Sequence, residues 1–124
     1  MSTYEGRLLN LDKIDKCNRK FAKDCKITFP DKIPVNYNFQ SGVNKVLGSA
    51  EISKDDNGLL CKVSLTHDDF KGHEYYVGGY YCTVERHKEG DITIIDSCML
   101  VSMSIVPDCD CCDIDMKIWK VKED

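Results

Sequence analysis

Apolar and polar residues alternate along much of the chain, which is the pattern of half-buried β-strands. The clearest case is the segment Ile92–Val106, where Met99, Val101, Met103 and Ile105 fall on one face. The same pattern predicts further strands, in chain order Tyr4–Leu9, Ile33–Phe39, Lys45–Ser53, Gly58–Thr66, Tyr75–His87 and Met116–Val121. Because lysines interrupt the last of these segments, it is predicted to be an edge strand.

Glycines mark two special positions between and within these strands. Asn57 and Gly58 join two of the predicted strands, and an Asn-Gly pair favours a type I′ turn because both residues tolerate positive φ. Residues 45–53 and 58–66 are therefore expected to form an antiparallel hairpin. Gly78 and Gly79 interrupt a predicted strand, which indicates a bulge or a sharp bend at that point.

One segment departs from the alternation. Between residues 12 and 26, the apolar residues Ile14, Cys17, Phe21 and Cys25 recur at spacings of three and four. This spacing places one apolar stripe along a helix, so it predicts a short amphipathic helix near the N-terminus.

These elements together define the expected architecture. Several short strands at close spacing, with one small helix, are typical of an antiparallel sheet that curls into a barrel. The expected fold is a mainly β, small antiparallel, partly closed β-barrel with one short N-terminal helix. A length of 124 residues fits a single domain spanning residues 1–124.

The charge balance and the apolar runs argue against several kinds of partner. Lys and Arg total 17 and Asp and Glu total 21, so the net charge is -4 and the basic excess of a general nucleic-acid binder is missing. Apolar runs are far shorter than the roughly 18 residues of a membrane-spanning helix. The first seven residues show no basic segment leading into an apolar stretch, so no secretory signal is predicted.

Eight cysteines are a high number for a chain of this length. Because no secretory signal is visible, we expect a reducing compartment in which all eight remain thiols. Cys61, Cys82 and Cys98 stand in apolar strand segments and are interpreted as small core residues, the common position of free cysteine.

The remaining cysteines include one acidic cluster with the spacing of metal ligands. Cys109 and Cys112 have the C-x-x-C spacing that lets two thiolates bind one tetrahedral zinc ion, and Cys111 lies between them. A complete site needs further ligands, and no second C-x-x-C is present in the sequence. The cluster is therefore interpreted either as a zinc site or as a reduced, exposed loop between two strands, and no other cofactor is expected.

Two groups of side chains are candidates for contact with a partner. Lys16, Arg19 and Lys23 belong to a basic cluster, interpreted either as a docking surface for an acidic partner or as a solvated face. Four tyrosines surround the paired glycines, namely Tyr75, Tyr76, Tyr80 and Tyr81. Alternate tyrosines fall on opposite faces of a strand, so some are expected to be exposed as interface anchors.

The order of several short segments resembles a known family. Ile33–Phe39 is followed by Val46–Ala50 and Asp55–Leu59, and later by Gly79-Tyr80 and Val101–Pro107. In this order they resemble the prohead (capsid maturation) proteases of tailed bacteriophages, over roughly residues 4–107. The resemblance implies a small β-barrel and an origin in a phage.

The same resemblance implies a loss of activity. The positions that match the family's histidine, serine and acidic residue are Phe39, Val77 and Leu100. All three are apolar, and nucleophilic catalysis needs a nucleophile within hydrogen-bond reach of a base. We therefore expect a non-catalytic relative in which these side chains are buried in the barrel.

The expected function is that of a non-enzymatic bacteriophage protein. It is predicted to be a virion or head-associated structural or assembly component that binds a protein partner, such as the phage capsid or another virion protein. The first alternative is a small cytoplasmic inhibitor or adaptor that binds a host protein, and the second is a zinc-binding module built on Cys109 and Cys112. The predicted location is the virion or the host cytoplasm, without secretion, and self-association into a homo-oligomer is left open.

Overall fold

Eight β-strands make up the chain in a computed structural model that describes residues 2–39, 46–66, 70, 72–107 and 116–123, with the backbone alone for residues 122–123. In chain order they are β1 Ser2–Asn10, β2 Arg19–Thr28, β3 Lys32–Tyr37, β4 Gly48–Asp55, β5 Gly58–Leu65, β6 Glu74–Glu89, β7 Ile92–Val106 and β8 Lys117–Glu123. The predicted strands are therefore present, with shifts of a few residues at their ends. None of the described segments is an apolar helix of membrane-spanning length.

Seven of the strands close into a complete barrel. The sheet runs in the order β7-β3-β4-β5-β1-β8-β6, and β6 pairs again with β7. The barrel is thus fully closed rather than partly closed as predicted. Closure removes most of the exposed backbone edges that an open sheet of this size would present.

The sheet is mixed, so the prediction of a purely antiparallel sheet was wrong. β2 and β3 both run parallel to β7, with Phe21 beside Ile95 and Val35 beside Met103. The two strands follow one another along the same edge of β7, since β2 contacts its first half and β3 its second half. Other pairs round the barrel are antiparallel, including β1 with β5 and β6 with β7.

The N-terminal helix was also predicted incorrectly, because its residues lie in a turn and in β2. Phe21 and Cys25 are buried as the pattern required, but a spacing of four places two residues on one face of a strand as well. Ile14 is 50% exposed and Cys17 is exposed, so the helical stripe does not form. Asn18 adopts a left-handed conformation just before β2 begins.

The hairpin of β4 and β5 confirms the prediction made from Asn57-Gly58, although the turn differs. Asp55 pairs with Gly58, so the loop consists of residues 56 and 57, and positive φ occurs at Gly58 rather than at Asn57. The Asp55 side chain fixes this turn by accepting the Asn57 N–H at 2.9 Å and by pairing with Arg7. These bonds hold the pKa of Asp55 at about 2, well below its usual value.

Alternating side chains of the strands fill the barrel interior. In β5, Leu59, Cys61, Val63 and Leu65 point inward and the residues between them point outward. Similar sets from the other strands complete one core, in which the largest fully buried side chains include Tyr4, Leu8, Ile33, Leu100, Met103, Ile105 and Ile118. The period of two read from the sequence therefore sorts most side chains correctly. The single face predicted for β7 was wrong, because the register shifts at Val101: Met103 and Ile105 are buried, whereas Met99 and Val101 are exposed.

Irregular positions lie elsewhere than predicted. Gly78 and Gly79 pair regularly with Ser104 and Met103, so the expected bulge is not there. The register shifts instead between Tyr80 and Tyr81 and on either side of Glu85. β8 was predicted to be an edge strand, but it pairs with β1 on one side and with β6 on the other.

Five cysteines fall among the described residues, and each is a free thiol. Cys61 and Cys98 are buried as predicted, whereas Cys82 is exposed, so its assignment to the core was wrong. The third buried cysteine among the described residues is Cys25 instead of Cys82. Desolvation raises the pKa of Cys61 and of Cys98 to about 12 and also raises the pKa of Cys25, which disfavours the reactive thiolate.

We expect thiol alkylation to separate these cysteines into two classes. Under native conditions iodoacetamide should modify Cys17 and Cys82 first, because they are exposed. Modification of Cys25, Cys61 and Cys98 should require unfolding, and peptide mapping by mass spectrometry after timed quenching would measure it. Modification of Cys61 as fast as Cys82 in the folded protein would contradict the described core.

Candidate functional site

A gap opens on one side of the barrel because β8 pairs only with the first part of each of its two neighbours, β1 and β6. Its first residues pair with the middle of β1, at Gly6, and with the start of β6, at Tyr76. Beyond these pairs no described strand lies between the second half of β1 and the rest of β6. A groove of about 400 Å³ occupies this gap, and we name it the mouth groove.

The mouth groove has apolar walls and a charged rim. Its apolar wall comes mostly from β1, β2, β6 and β7, through Leu8, Leu9, Phe21, Val77, Ile95 and Val106, with Met116 at the start of β8. Its rim carries Asn10, Lys13, Asp15, Arg19 and Thr83. Phe39, Tyr80 and Tyr81 add aromatic surface, so the groove suits a partner group with an apolar body.

The two glycines of β6 make room for aromatic rings on both faces of the strand. A Cβ atom on Gly79 would lie 2.6 Å from the ring of Tyr81, which folds back along its own strand. On the other face, a Cβ atom on Gly78 would lie 3.1 Å from the ring of Phe39. The glycine pair therefore permits close packing of these rings, which replaces the predicted bulge as the reason for its presence.

Tyr81 reaches from the mouth groove into the barrel core. Its ring packs against Phe21, with 5.0 Å between the ring centroids. Its hydroxyl is buried and has no hydrogen-bond partner among the described residues. Burial raises the pKa of this phenol far above its ordinary value, so the hydroxyl stays neutral. An unpaired buried hydroxyl is costly, by about 1–3 kcal/mol in typical cases.

Arg19 is held at the rim by a tight loop. The Asp15 carboxylate accepts hydrogen bonds from the Arg19 Nε at 3.0 Å and from the Cys17 backbone N–H at 2.8 Å. The guanidinium also lies 6.0 Å from the centre of the Phe21 ring. These contacts fix one cationic side chain beside the aromatic wall.

The other predicted partner-binding residues are spread over the molecule. Tyr75 packs inward against Tyr4, and Tyr76 carries the ammonium of Lys117 at 5.0 Å from its ring centre. Lys16 lies in the turn before β2, and Lys23 is exposed within β2. Of the seven predicted partner-binding residues, the mouth groove therefore brings together three, namely Arg19, Tyr80 and Tyr81.

The three positions matched to catalytic residues have different surroundings. Val77 and Leu100 are buried, as expected, but Phe39 is 46% exposed, so its predicted burial was wrong. Phe39 follows β3 in a left-handed conformation, at φ 61°, directly after Asn38 at φ 49°. Its backbone N–H donates to the Ser104 hydroxyl at 2.9 Å, and that hydroxyl donates in turn to Asn36. The turn therefore places an aromatic ring at the groove.

The predicted zinc ligands Cys109, Cys111 and Cys112 lie outside the described residues. Within the described ranges, no group of three or more His, Cys, Asp or Glu side chains is arranged to hold a metal ion. No family model, no curated protein and no solved structure matches the chain.

Sequence reasoning did not identify the backbone edge of β6 as a candidate site. β6 pairs with β7 over nearly its whole length but with β8 only from Glu74 to Tyr76. Its outer edge is therefore unpaired beyond Val77, whose N–H donates to the Met116 carbonyl at 2.9 Å. A signal was present in the unequal lengths of the predicted strands Tyr75–His87 and Met116–Val121.

The last part of β6 and the first part of β7 form a hairpin ribbon, which β2 flanks on the β7 side and which is exposed on its β6 side. Asp96 is the extra residue of a bulge in β7, and its carboxylate lies 2.6 Å from the Nδ1 atom of His87. The Glu89 carboxylate lies 3.4 Å from the Nε2 atom of the same ring. Both bonds raise the pKa of His87 above its usual value of 6.5, and the bond to Asp96 has the larger effect.

The Tyr81→Phe variant should be more stable than the wild-type protein, by about 1 kcal/mol in the free energy of unfolding, because it removes an unpaired buried hydroxyl. Tyr75→Phe is the matched control, since the Tyr75 hydroxyl accepts the Gly72 N–H at 2.6 Å. This control should lose about 1 kcal/mol. Urea unfolding monitored by circular dichroism measures both, and destabilisation by Tyr81→Phe would reveal a partner for that hydroxyl.

The His87 pKa tests the geometry of the ribbon. Because its pKa is raised in the folded state, the contribution of His87 to stability is fully present below pH 6.5 and is lost as the pH rises through the folded pKa. NMR titration of the His87 ring should give a value above 6.5 that falls in Asp96→Asn. Glu89→Gln should lower the His87 pKa by a smaller amount. A larger decrease in Glu89→Gln than in Asp96→Asn would contradict the two distances.

Proposed function

We propose that this protein is a non-enzymatic bacteriophage protein, a head-associated structural or assembly component that binds a protein partner. In this proposal an extended segment of the partner adds to the free edge of β6 beside the mouth groove. Addition of a strand to an exposed sheet edge is a common mode of peptide recognition, in which main-chain hydrogen bonds supply affinity and side-chain pockets supply specificity.

The observation that carries the proposal is the unpaired outer edge of β6. In a strand, alternate residues direct their N–H and C=O groups to opposite sides. Because the Val77 N–H points outward to Met116, the backbone groups of Gly79, Tyr81 and Thr83 also point outward. No described strand accepts them, so they form a template for an incoming strand.

Exposed side chains of β6 also favour a contact surface at this edge. Tyr80 is 52% exposed and Val84 is 67% exposed, and both belong to β6. A large aromatic side chain beside an apolar groove is the typical anchor of a protein interface. Arg19, held in an ion pair with Asp15, adds a fixed guanidinium group to the same groove.

Two further observations favour a binding function over a catalytic one. The described lining of the mouth groove contains no serine, cysteine or histidine, so it offers none of the common nucleophile and base pairs. Phe39 and Val77, which take positions of catalytic residues in the resemblance to prohead proteases, contribute apolar surface to this groove. The phage and head assignment rests on the order of segments in that resemblance.

Thr83→Pro should weaken binding selectively, because proline removes one outward N–H while the β6–β7 ladder is kept. The assay is co-sedimentation with particles of the phage that encodes the protein, followed by titration against its separately purified head proteins. We expect the affinity to fall by about tenfold or more, as one lost main-chain bond and a steric clash would cause. Thr83→Ala, the matched control, should bind like the wild-type protein.

Several results would contradict this proposal. Unchanged binding of Thr83→Pro, with a normal circular dichroism spectrum, would exclude strand addition at this edge. Binding to a host protein without binding to any head protein would favour the cytoplasmic adaptor. Cleavage of unfolded casein that a single Ser or Cys replacement abolishes would show an enzyme.

A further inference from the structure

A second groove, of about 600 Å³, lies on the outer surface of the barrel across β4, β5, β1 and β8. We name it the outer groove. The exposed apolar side chains among its lining residues are Leu60, Trp119 and Val121. Trp119 is the only tryptophan of the sequence. Its side chain is large and apolar, and yet it is 49% exposed. Exposed apolar surface in a concavity is characteristic of an interaction site.

Strand register places acidic residues in one row with this tryptophan. Glu51 pairs with Lys62, Lys62 with Glu5, and Glu5 with Trp119. Trp119 is also opposite Glu74, the first residue of β6. Because residues paired across antiparallel strands share a face, these five side chains lie in a row on the outer surface. The row contains three carboxylates and one ammonium, so it is net negative.

The indole ring of Trp119 is held in place within this row. Its Nε1–H donates to the Glu74 carboxylate at 3.1 Å, which fixes one edge of the ring. The Glu5 carboxylate on its other side lies 3.8 Å from the Lys62 ammonium. Both of these side chains are exposed, and such surface pairs contribute little, so a better cation can replace Lys62 beside Glu5.

We propose that the outer groove binds an arginine side chain of a protein partner. The guanidinium stacks on the Trp119 indole and pairs with the Glu5 carboxylate, while Leu60 and Val121 contact the aliphatic stem. Arginine fits better than lysine because its planar group stacks on an aromatic face and forms two parallel hydrogen bonds with a carboxylate. Glu51 adds negative potential at the far side of the groove. This site is separate from the mouth groove and does not depend on strand addition to β6.

Fluorescence gives a direct assay, since Trp119 is the single tryptophan. The probe is an acetylated and amidated peptide of sequence Gly-Arg-Gly-Arg-Gly, and its control is the same peptide with citrulline, which is neutral and nearly isosteric with arginine. We expect a saturable change in emission with the arginine peptide and at least about tenfold weaker binding of the citrulline peptide. Affinity should fall as the salt concentration rises, because the groups are exposed.

Matched variants separate local contact from overall charge. Glu5→Gln should weaken binding of the arginine peptide by about threefold, the effect of one exposed ion pair. Glu85→Gln, which removes the same charge from the exposed β6 ribbon, should leave the affinity unchanged. Trp119→Phe, measured by calorimetry, should weaken binding, and Thr83→Pro should not. Equal binding of the two peptides, or equal effects of Glu5→Gln and Glu85→Gln, would overturn the proposal.

Discussion

Backbone pairing between β6 and β7, which extends from Tyr76–Val106 to Glu89–Ile92, is the interaction on which the rest of the structure depends. It closes the barrel, since β6 and β7 stand at opposite ends of the sheet order that runs through β3, β4, β5, β1 and β8. It also leaves the second edge of β7 available to β2 and then to β3. Loss of this pairing would therefore open the barrel between β6 and β7.

Length mismatch between neighbouring strands creates the surface proposed for binding. β6 has 16 residues and β8 has 7, so β8 covers less than half of the β6 edge. A barrel of equal strands would leave neither the mouth groove nor outward-facing backbone groups. Bulges at Val84 and Asp96 let the long ribbon twist beyond the barrel and bring Asp96 to His87. Stability and binding potential thus arise from the same hairpin.

Sequence periodicity predicted the structural features that depend on one local segment of the chain. The strand Ile92–Val106 and the hairpin around Asn57-Gly58 were recognised because a period of two identifies a strand. The buried face of that strand changes at the bulge beside Val101, which the period does not show. The helix was misassigned because Phe21 and Cys25, four residues apart, satisfy the helical and the strand period equally. Closure and the parallel pairs involve segments far apart in the chain, so local patterns contain no information on them. For the mouth groove the only signal was the unequal lengths of two predicted strands. The tyrosines illustrate both cases, since alternation assigned their faces but only the fold shows that Tyr80 and Arg19 share a groove.

The pairing of β1 with β8 joins residues near the two ends of the described chain, with Gly6 beside Ile118. A contact between such distant residues forms late, because folding slows as contacting residues become farther apart in sequence. During synthesis β1 can pair with β5 well before residues 117–123 leave the ribosome. In that interval the edges of β1 and β6 that β8 later covers are both open, and open edges promote aggregation. The strand that closes the barrel is thus the last to be made, and the nascent chain needs protection at these two edges until β8 arrives.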